Sequence, residues 1–112
     1  MTAPRLKSKI LVDSIRRRCD LAAVPALILR KGDPDAGGIA LRLDDLKGGI
    51  VVYVQARTGE GAAAWMRGTG ASPVAEDRAD AYLEKQTRMD PDLWVLAIED
   101  PTLVPPVDDP LL

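Results

Sequence analysis

The chain has 112 residues, 46% of them hydrophobic and 29% charged, and a formal net charge of −2, which suits one globular domain and leaves no room for a second core. It contains no histidine and one cysteine, which excludes Ser-His and Cys-His nucleophile pairs and argues against a zinc site. No apolar run approaches the roughly 20 residues that span a bilayer, and nothing near the N-terminus resembles a signal peptide, so we expect a cytoplasmic protein with no cofactor and no membrane partner.

Basic residues are concentrated in the first quarter of the chain. Residues 1–31 contain eight Lys or Arg and two acidic residues, whereas residues 32–112 contain seven basic and fifteen acidic residues. Two interpretations fit this asymmetry. The two parts neutralise each other in the folded protein, or the basic part forms an arm that binds nucleic acid.

The first predicted element is an amphipathic helix. Ser8 is a candidate N-cap because its side-chain oxygen can accept a backbone amide, and Pro25 marks the end of the helical segment. Between them, apolar residues recur every three or four positions, as they do on one face of a helix: Leu11, Ile15, Cys19 and Ala22. Cys19 is therefore predicted to be a buried structural thiol rather than a nucleophile.

Three strands are predicted next. The segment "PALILR" (25–30) is apolar on both faces, which is typical of an internal strand. The segment "GIALRLDDL" (38–46) alternates between apolar and polar residues and predicts a half-buried strand. Because "GDPDAGG" (32–38) between them is typical of a turn, we expect these two strands to form a hairpin. A third strand, "IVVYV" (50–54), would extend it to an antiparallel meander.

Residues 57–73 contain four glycines and are flexible by composition, although "AAAWMR" (62–67) is a candidate fourth strand. Trp65 in this segment either fills the core or lies at a partner surface, where tryptophan is enriched. Arg67 lies two positions further on. These two residues are therefore candidates for a partner or ligand surface.

A second helix and a last strand complete the predicted domain. Ser72 is a candidate N-cap with Pro73 at the favoured first helical position, and the helix should end near Arg88. The segment "LWVLAIE" (93–99) predicts a strand that is apolar on both faces. We expect residues 1–100 to form one domain, and residues 101–112, which contain four prolines, to form an extended, poorly ordered tail.

An acid–proline–acid step occurs twice, at residues 33–35 and 90–92. The spacing Asp33-x-Asp35-x-Gly37 resembles the start of a calcium loop, but the third acidic ligand and the closing glutamate are missing. Asp33 and Asp35 could instead serve as the acid and base of a carboxylate-based enzyme. Because proline fixes φ and aspartate side chains bond nearby amides, we interpret both steps as turns.

A basic surface is the main alternative to a protein-binding role. Arg16 and Arg17 lie on the first predicted helix, and Arg30 follows the first predicted strand. Three further basic residues could add to this surface: Arg5, Lys7 and Lys9. It could bind anions or a nucleic-acid backbone with steep salt dependence, although the scarcity of aromatic residues disfavours single-stranded nucleic acid. The other interpretation is a solvated helix face paired with acidic residues.

Three segments, "RLKS", "RKGDPDAGG" and "MDPDLWVLAIED", resemble a small bacterial family known as domain of unknown function 1491 (DUF1491). The resemblance covers roughly residues 5–100, and the order and separation of the two DPD segments carry it. It implies a stand-alone cytoplasmic α+β domain. It implies no catalytic or binding residue.

The predicted fold is an α+β domain with the order α-β-β-β-(β)-α-β, in which the helices pack on one face of a mostly antiparallel sheet of four to five strands. The predicted function is a non-enzymatic interaction or binding module that self-associates or binds an unidentified protein. The first alternative is an anion or nucleic-acid binder, and the second is an enzyme centred on Asp33 and Asp35.

Overall fold

A computed structural model describes residues 6–112 and contains two helices and five strands. In chain order these are α1 (Ser8–Leu21), β1 (Ala26–Arg30), β2 (Ile39–Asp44), β3 (Ile50–Arg57), β4 (Ala63–Arg67), α2 (Glu76–Met89) and β5 (Trp94–Glu99). The predicted α+β class and element order are confirmed, and the candidate fourth strand is present. Within the described residues, neither helix is long and apolar enough to cross a membrane.

The strands form one mixed sheet in the order β1-β5-β2-β3-β4. β5 pairs antiparallel with β1 and parallel with β2, whereas β2, β3 and β4 form an antiparallel meander. The predicted hairpin of β1 and β2 is therefore wrong, because β5 lies between them. β5 is apolar on both faces and is almost fully buried, so the centre of the sheet suits it better than β1, whose side chains alternate between half-buried and exposed.

The two helices cover opposite faces of the sheet, which corrects the prediction that both pack on one face. One buried cluster joins α1 to the sheet through Val12, Ile15 and Cys19. A second cluster joins α2 to the other face through Ala79 and Leu83. The side chains of a strand alternate between the two faces, so both faces of β2 are covered.

The polar face of β2, predicted to face solvent, lies under α2. Arg42 on this face is within 3.5 Å of Glu76 and 3.4 Å of Asp80, both on α2. These ion pairs link the second helix to the middle of the sheet.

Neither predicted serine N-cap is present. Ser8 is the first residue of α1, and its hydroxyl donates to the carbonyl oxygen of Gly37 at 2.5 Å. α2 begins at Glu76 rather than near Ser72, because Val74 instead forms a β-bridge with Ile50. Tertiary partners therefore decide both helix starts.

Composition predicts a poorly ordered tail for residues 101–112, whereas in the structure this segment packs against the domain. Leu103 and Val107 contact the core cluster under α1. Near the end of the segment, the Trp65 amide donates to the Pro110 carbonyl at 2.9 Å, and the Leu112 amide donates to the Trp65 carbonyl at 2.7 Å. The C-terminal segment thus lies along the outer side of β4.

Candidate interaction surface

The two DPD segments lie against each other. The Asp33 amide donates to the Asp92 carbonyl at 3.0 Å, and the indole Nε1 of Trp94 donates to the Asp33 carbonyl at 2.7 Å. Residues 59 and 61 positions apart in the sequence therefore hold the end of β1 against the start of β5.

Both DPD segments form turns, as predicted. The Asp33 carboxylate accepts the amides of Asp35 and Ala36 at 3.0 and 2.8 Å. The Asp90 carboxylate accepts the amide of Asp92 at 3.0 Å. These side chains stabilise their own turns, in the way that aspartate commonly does.

The contact between the two turns depends on glycine. A Cβ atom added at Gly32 or Gly37 would overlap the carbonyl oxygen of Asp92. The backbone of the first turn can approach the second this closely only because these positions have no side chain.

The predicted basic surface is divided, because several of its members are engaged at this turn contact. Arg30 donates to the carbonyl oxygens of Leu93 and Pro91 at 2.6 and 2.7 Å, and Lys7 lies 3.6 Å from Asp35. Lys9 pairs with Asp13 on its own helix at 2.9 Å. Arg5 lies outside the described residues. Arg16 and Arg17 are the members whose side chains have neither an ion pair nor a hydrogen bond among the described residues.

The arrangement of Asp33 and Asp35 gives no support to an acid–base pair. Asp33 is engaged with two amides of its turn, while Asp35 is 69% exposed and faces Lys7. Within residues 6–112, no group of three or more potential metal-ligating residues comes together.

Trp65 lies in the core, the first of the two positions expected from the sequence, and not at a partner surface. Its side chain is 1% exposed and belongs to the cluster beneath α1. Arg67, two residues further along β4, is exposed. Its Nε donates to the Tyr53 hydroxyl at 3.0 Å, its Nη1 donates to the Ala71 carbonyl at 2.6 Å, and its guanidinium lies over the Tyr53 ring at 5.8 Å.

Cys19 is buried beneath α1 and is 1% exposed, as predicted for a structural thiol. Burial raises the pKa of this thiol, and the nearby Arg18 only partly offsets the increase. The thiol therefore stays protonated at neutral pH and is a poor nucleophile.

The outer side of β1 is the most open apolar part of the sheet. Leu27 and Leu29 are 63% and 52% exposed and lie on the face opposite α1. β1 is the last strand of the sheet on this side. No hydrogen bond reaches the backbone of Ala26 or Ile28 from outside the sheet among the described residues.

A groove of about 710 Å³ follows this edge on the α1 side. It is lined by two residues of each charge from α1 and by the chain that enters β1: Asp13, Arg16, Arg17, Asp20, Val24, Pro25 and Ala26. We call this region the β1 surface. It comprises the exposed Leu27 and Leu29, the outward backbone groups of Ala26 and Ile28, and Arg16 and Arg17 in the groove.

A second cavity, of about 580 Å³, lies near the other edge of the sheet. It is lined by Met66, Arg67, Gly70, Ala71 and Leu112. The C-terminal segment forms one of its walls, and two donors of Arg67 are already engaged nearby. The groove at β1 instead lies beside a strand whose outer side has no hydrogen-bond partner among the described residues.

Sequence reasoning missed the β1 surface because it placed "PALILR" inside the sheet. One signal could have pointed to an edge. Proline has no amide hydrogen to donate to a neighbouring strand. It is therefore tolerated on edge strands and at the first residue of a strand, but not inside a central strand. Pro25 directly before β1 has this position.

Comparisons with known proteins give a consistent result. Residues 6–108 match the family described as "Protein of unknown function (DUF1491)", so the match reaches further toward the C-terminus than the predicted resemblance. None of the curated proteins compared with the chain matches it.

Solved structures show the same fold. A crystal structure of a DUF1491 family protein from Caulobacter crescentus CB15 is 32% identical, with a TM-score of 0.85 over 96% of this chain and 100% of that one. An NMR structure of a DUF1491 family protein from the same organism has a TM-score of 0.83 at 32% identity, over 98% and 99% of the two chains. A solution structure of a protein from A. tumefaciens has a TM-score of 0.75 at 29% identity, over 97% and 100%.

Proposed function

The chain belongs to the DUF1491 family, and from this premise we propose that it is a non-enzymatic interaction module that binds a protein partner through the β1 surface. The proposal keeps the cytoplasmic location expected from the sequence, where a lone thiol such as Cys19 stays reduced.

The proposal rests on one observation: the two edge strands of the sheet differ in what lies along their outer sides. The outer side of β4 is bonded to the C-terminal segment at Trp65, whereas β1 has exposed leucines and, within residues 6–112, no strand along its outer side. Proteins commonly protect an edge strand with charged residues or a cover. Residues 24–29 of this chain contain no charge, so this edge lacks the charged protection.

The physical gain from covering this edge comes from both its backbone and its side chains. An added strand would pair with the outward amides and carbonyls, as in the recognition of extended peptides by sheet edges. It would also cover Leu27 and Leu29, and full burial of a leucine is worth about 1.5–3 kcal/mol. Loss of freedom on association offsets part of this gain.

Site-specific photo-crosslinking tests the proposal. The photoreactive residue p-benzoylphenylalanine is placed at position 27, and at position 46 as the control, because Leu46 is similarly exposed at 59% but lies in the β2–β3 turn. We expect a discrete protein adduct from position 27 in cells and none from position 46. Equal labelling from both positions, or none from position 27, would contradict the proposal.

A second candidate function is anion or nucleic-acid binding by Arg16 and Arg17. It is favoured by the absence of ion pairs to these two side chains among the described residues. Asp13 and Asp20 line the same groove and weaken its attraction for phosphate. Fluorescence anisotropy with a labelled DNA duplex at low salt tests this candidate, since backbone binding must weaken steeply as salt is added. The absence of binding by the wild-type chain at low salt would eliminate it.

A further inference from the structure

We propose that the partner at the β1 surface is a second copy of this chain, with the two β1 strands paired antiparallel about a two-fold axis. This inference rests on the proposed function and names its partner. It follows from the backbone geometry, the side chains and the charges of the β1 surface.

The backbone of β1 has few outward groups, and they can satisfy one another. The Pro25 carbonyl accepts the Glu99 amide at 3.0 Å, so residue 25 faces β5. Successive residues of an antiparallel strand alternate in direction, so Leu27 also faces β5, while Ala26 and Ile28 face outward. If Ala26 of one copy lies opposite Ile28 of the second copy, the outward amides and carbonyls of both residues are paired in both copies.

Two features of β1 confine the pairing to this short stretch. Pro25 has no amide to donate, and the register of β1 against β5 shifts between Ile28 and Arg30, which marks a bulge. A bulge bends its strand and interrupts regular pairing. Only residues 26–28 therefore offer a regular outer edge, and a strand with the same short regular stretch matches it.

The exposed leucines support the same arrangement. With Ala26 opposite Ile28, Leu27 lies opposite Leu27 of the second copy, at a non-hydrogen-bonded position where side chains approach most closely. Both side chains lie on the face away from α1, with Leu29 of each copy nearby. Residues that are 63% and 52% exposed in one chain would cover each other in the pair.

The charges of the β1 surface also favour a like partner. Residues 24–29 carry no charge, so the pairing places no like charges directly opposite each other on the strands. The groove beside them has two arginines and two aspartates, so each copy presents both signs to the other. A groove of one sign would instead disfavour self-association.

Analytical ultracentrifugation of the full chain is the first test. Between about 1 μM and about 1 mM, a range that covers weak complexes, we expect the wild-type chain to pass from monomer to dimer. Leu27→Glu should remain monomeric over this range, because two carboxylates would meet at the axis. Leu46→Glu, at a similarly exposed position, should dimerise like the wild type. Circular dichroism checks that both variants are folded.

A disulfide trap tests the register itself. The only native cysteine is buried, so Leu27→Cys adds the only accessible thiol. At a non-hydrogen-bonded antiparallel pair the Cα atoms are about 4.5 Å apart, within the range that a disulfide bridges. With oxidised glutathione as the oxidant, we expect Leu27→Cys to form a covalent dimer much faster than Leu46→Cys.

The outcomes separate this inference from the function on which it rests. A monomer at all concentrations, together with adducts to other proteins from position 27, would overturn the second copy as partner but leave the interaction module in place. A monomer with no adducts would overturn both. A dimer that survives Leu27→Glu would show association through another surface and would overturn the β1 pairing.

Discussion

β1 and β4 are both edge strands of the same sheet, but they differ in what lies along their outer sides. The amide and carbonyl of Trp65 in β4 are bonded to residues of the C-terminal segment, and the Trp65 ring is buried. The outer residues of β1 have no such partner among the described residues, and two leucines of β1 are exposed. The comparison shows that two edges of one sheet can differ in whether a distant segment of the chain bonds to their outer side.

The largest expected effect concerns the covered edge. Trp65→Ala should lower the free energy of unfolding by about 3–5 kcal/mol, because it removes a large buried side chain and leaves a cavity. The matched change at the open edge, Leu27→Ala, should alter it by less than about 0.5 kcal/mol at concentrations where the chain is monomeric. Urea denaturation measures both, and similar losses in the two variants would erase the distinction between the edges.

Removing the cover should convert the β4 edge into one like β1. Deletion of residues 109–112 leaves the Arg18–Asp108 ion pair in place but removes the two backbone hydrogen bonds to Trp65. At about 0.5–1.5 kcal/mol for each bond, the free energy of unfolding should fall by about 1–3 kcal/mol.

The deletion should also expose the Trp65 amide to hydrogen exchange. Exchange measured by mass spectrometry should increase in β4 and remain unchanged in β1. An unchanged rate in β4 would mean that the C-terminal segment does not protect this edge.

The two DPD turns hold the end of β1, the open edge, in place. Gly37→Ala places a Cβ against the Asp92 carbonyl oxygen, and we expect a loss of about 1–3 kcal/mol from overpacking. Gly59→Ala is the control, since nothing lies within 4 Å of its added Cβ. Hydrogen exchange in Gly37→Ala should increase more in β1 than in β4, and the reverse pattern would contradict the role of the turns in holding β1.

The smallest expected effect concerns the ion pair that ties the C-terminal segment to α1. Arg18 lies 2.9 Å from Asp108, but the two side chains are 45% and 92% exposed. Exposed pairs contribute about 0–1 kcal/mol, so Arg18→Ala should lower the free energy of unfolding by no more than that. Arg16→Ala, at a position without an ion pair, is the control. A larger loss in Arg18→Ala that persists at high salt would mean that Arg18 contributes more than this ion pair.

The local sequence patterns predicted the helices and strands, but not which strands lie next to each other in the sheet. The spacing of apolar residues in α1 and the alternation in β2 follow directly from helix and strand geometry, and both elements are present. The position of β5 between β1 and β2 depends instead on which strand has more apolar side chains to bury on both faces. Both "PALILR" and "LWVLAIE" are apolar on both faces, so periodicity alone could not rank them.

The candidate surface was harder to predict because it depends on contacts between distant residues. Trp65 in a glycine-rich segment has the composition of an exposed loop, yet its side chain packs in the cluster beneath α1 and residues 110–112 bond to its backbone. The turn at Asp33 was readable from its own residues, whereas its contact with Asp92 was not. Arg30 was predicted to be part of a basic surface. Its two carbonyl acceptors could not be foreseen, because they lie over 60 positions away in the sequence.

If two copies pair through β1 as proposed, the hydrogen bonds between residues 110–112 and Trp65 limit how far association can proceed. If both sides of the sheet were available, each molecule could join one neighbour on the left and another on the right, and ribbons would grow without end. With the outer side of β4 occupied by residues 110–112, growth through that side would stop once β1 is paired. Residues 110–112 would thereby restrict such an assembly to two copies.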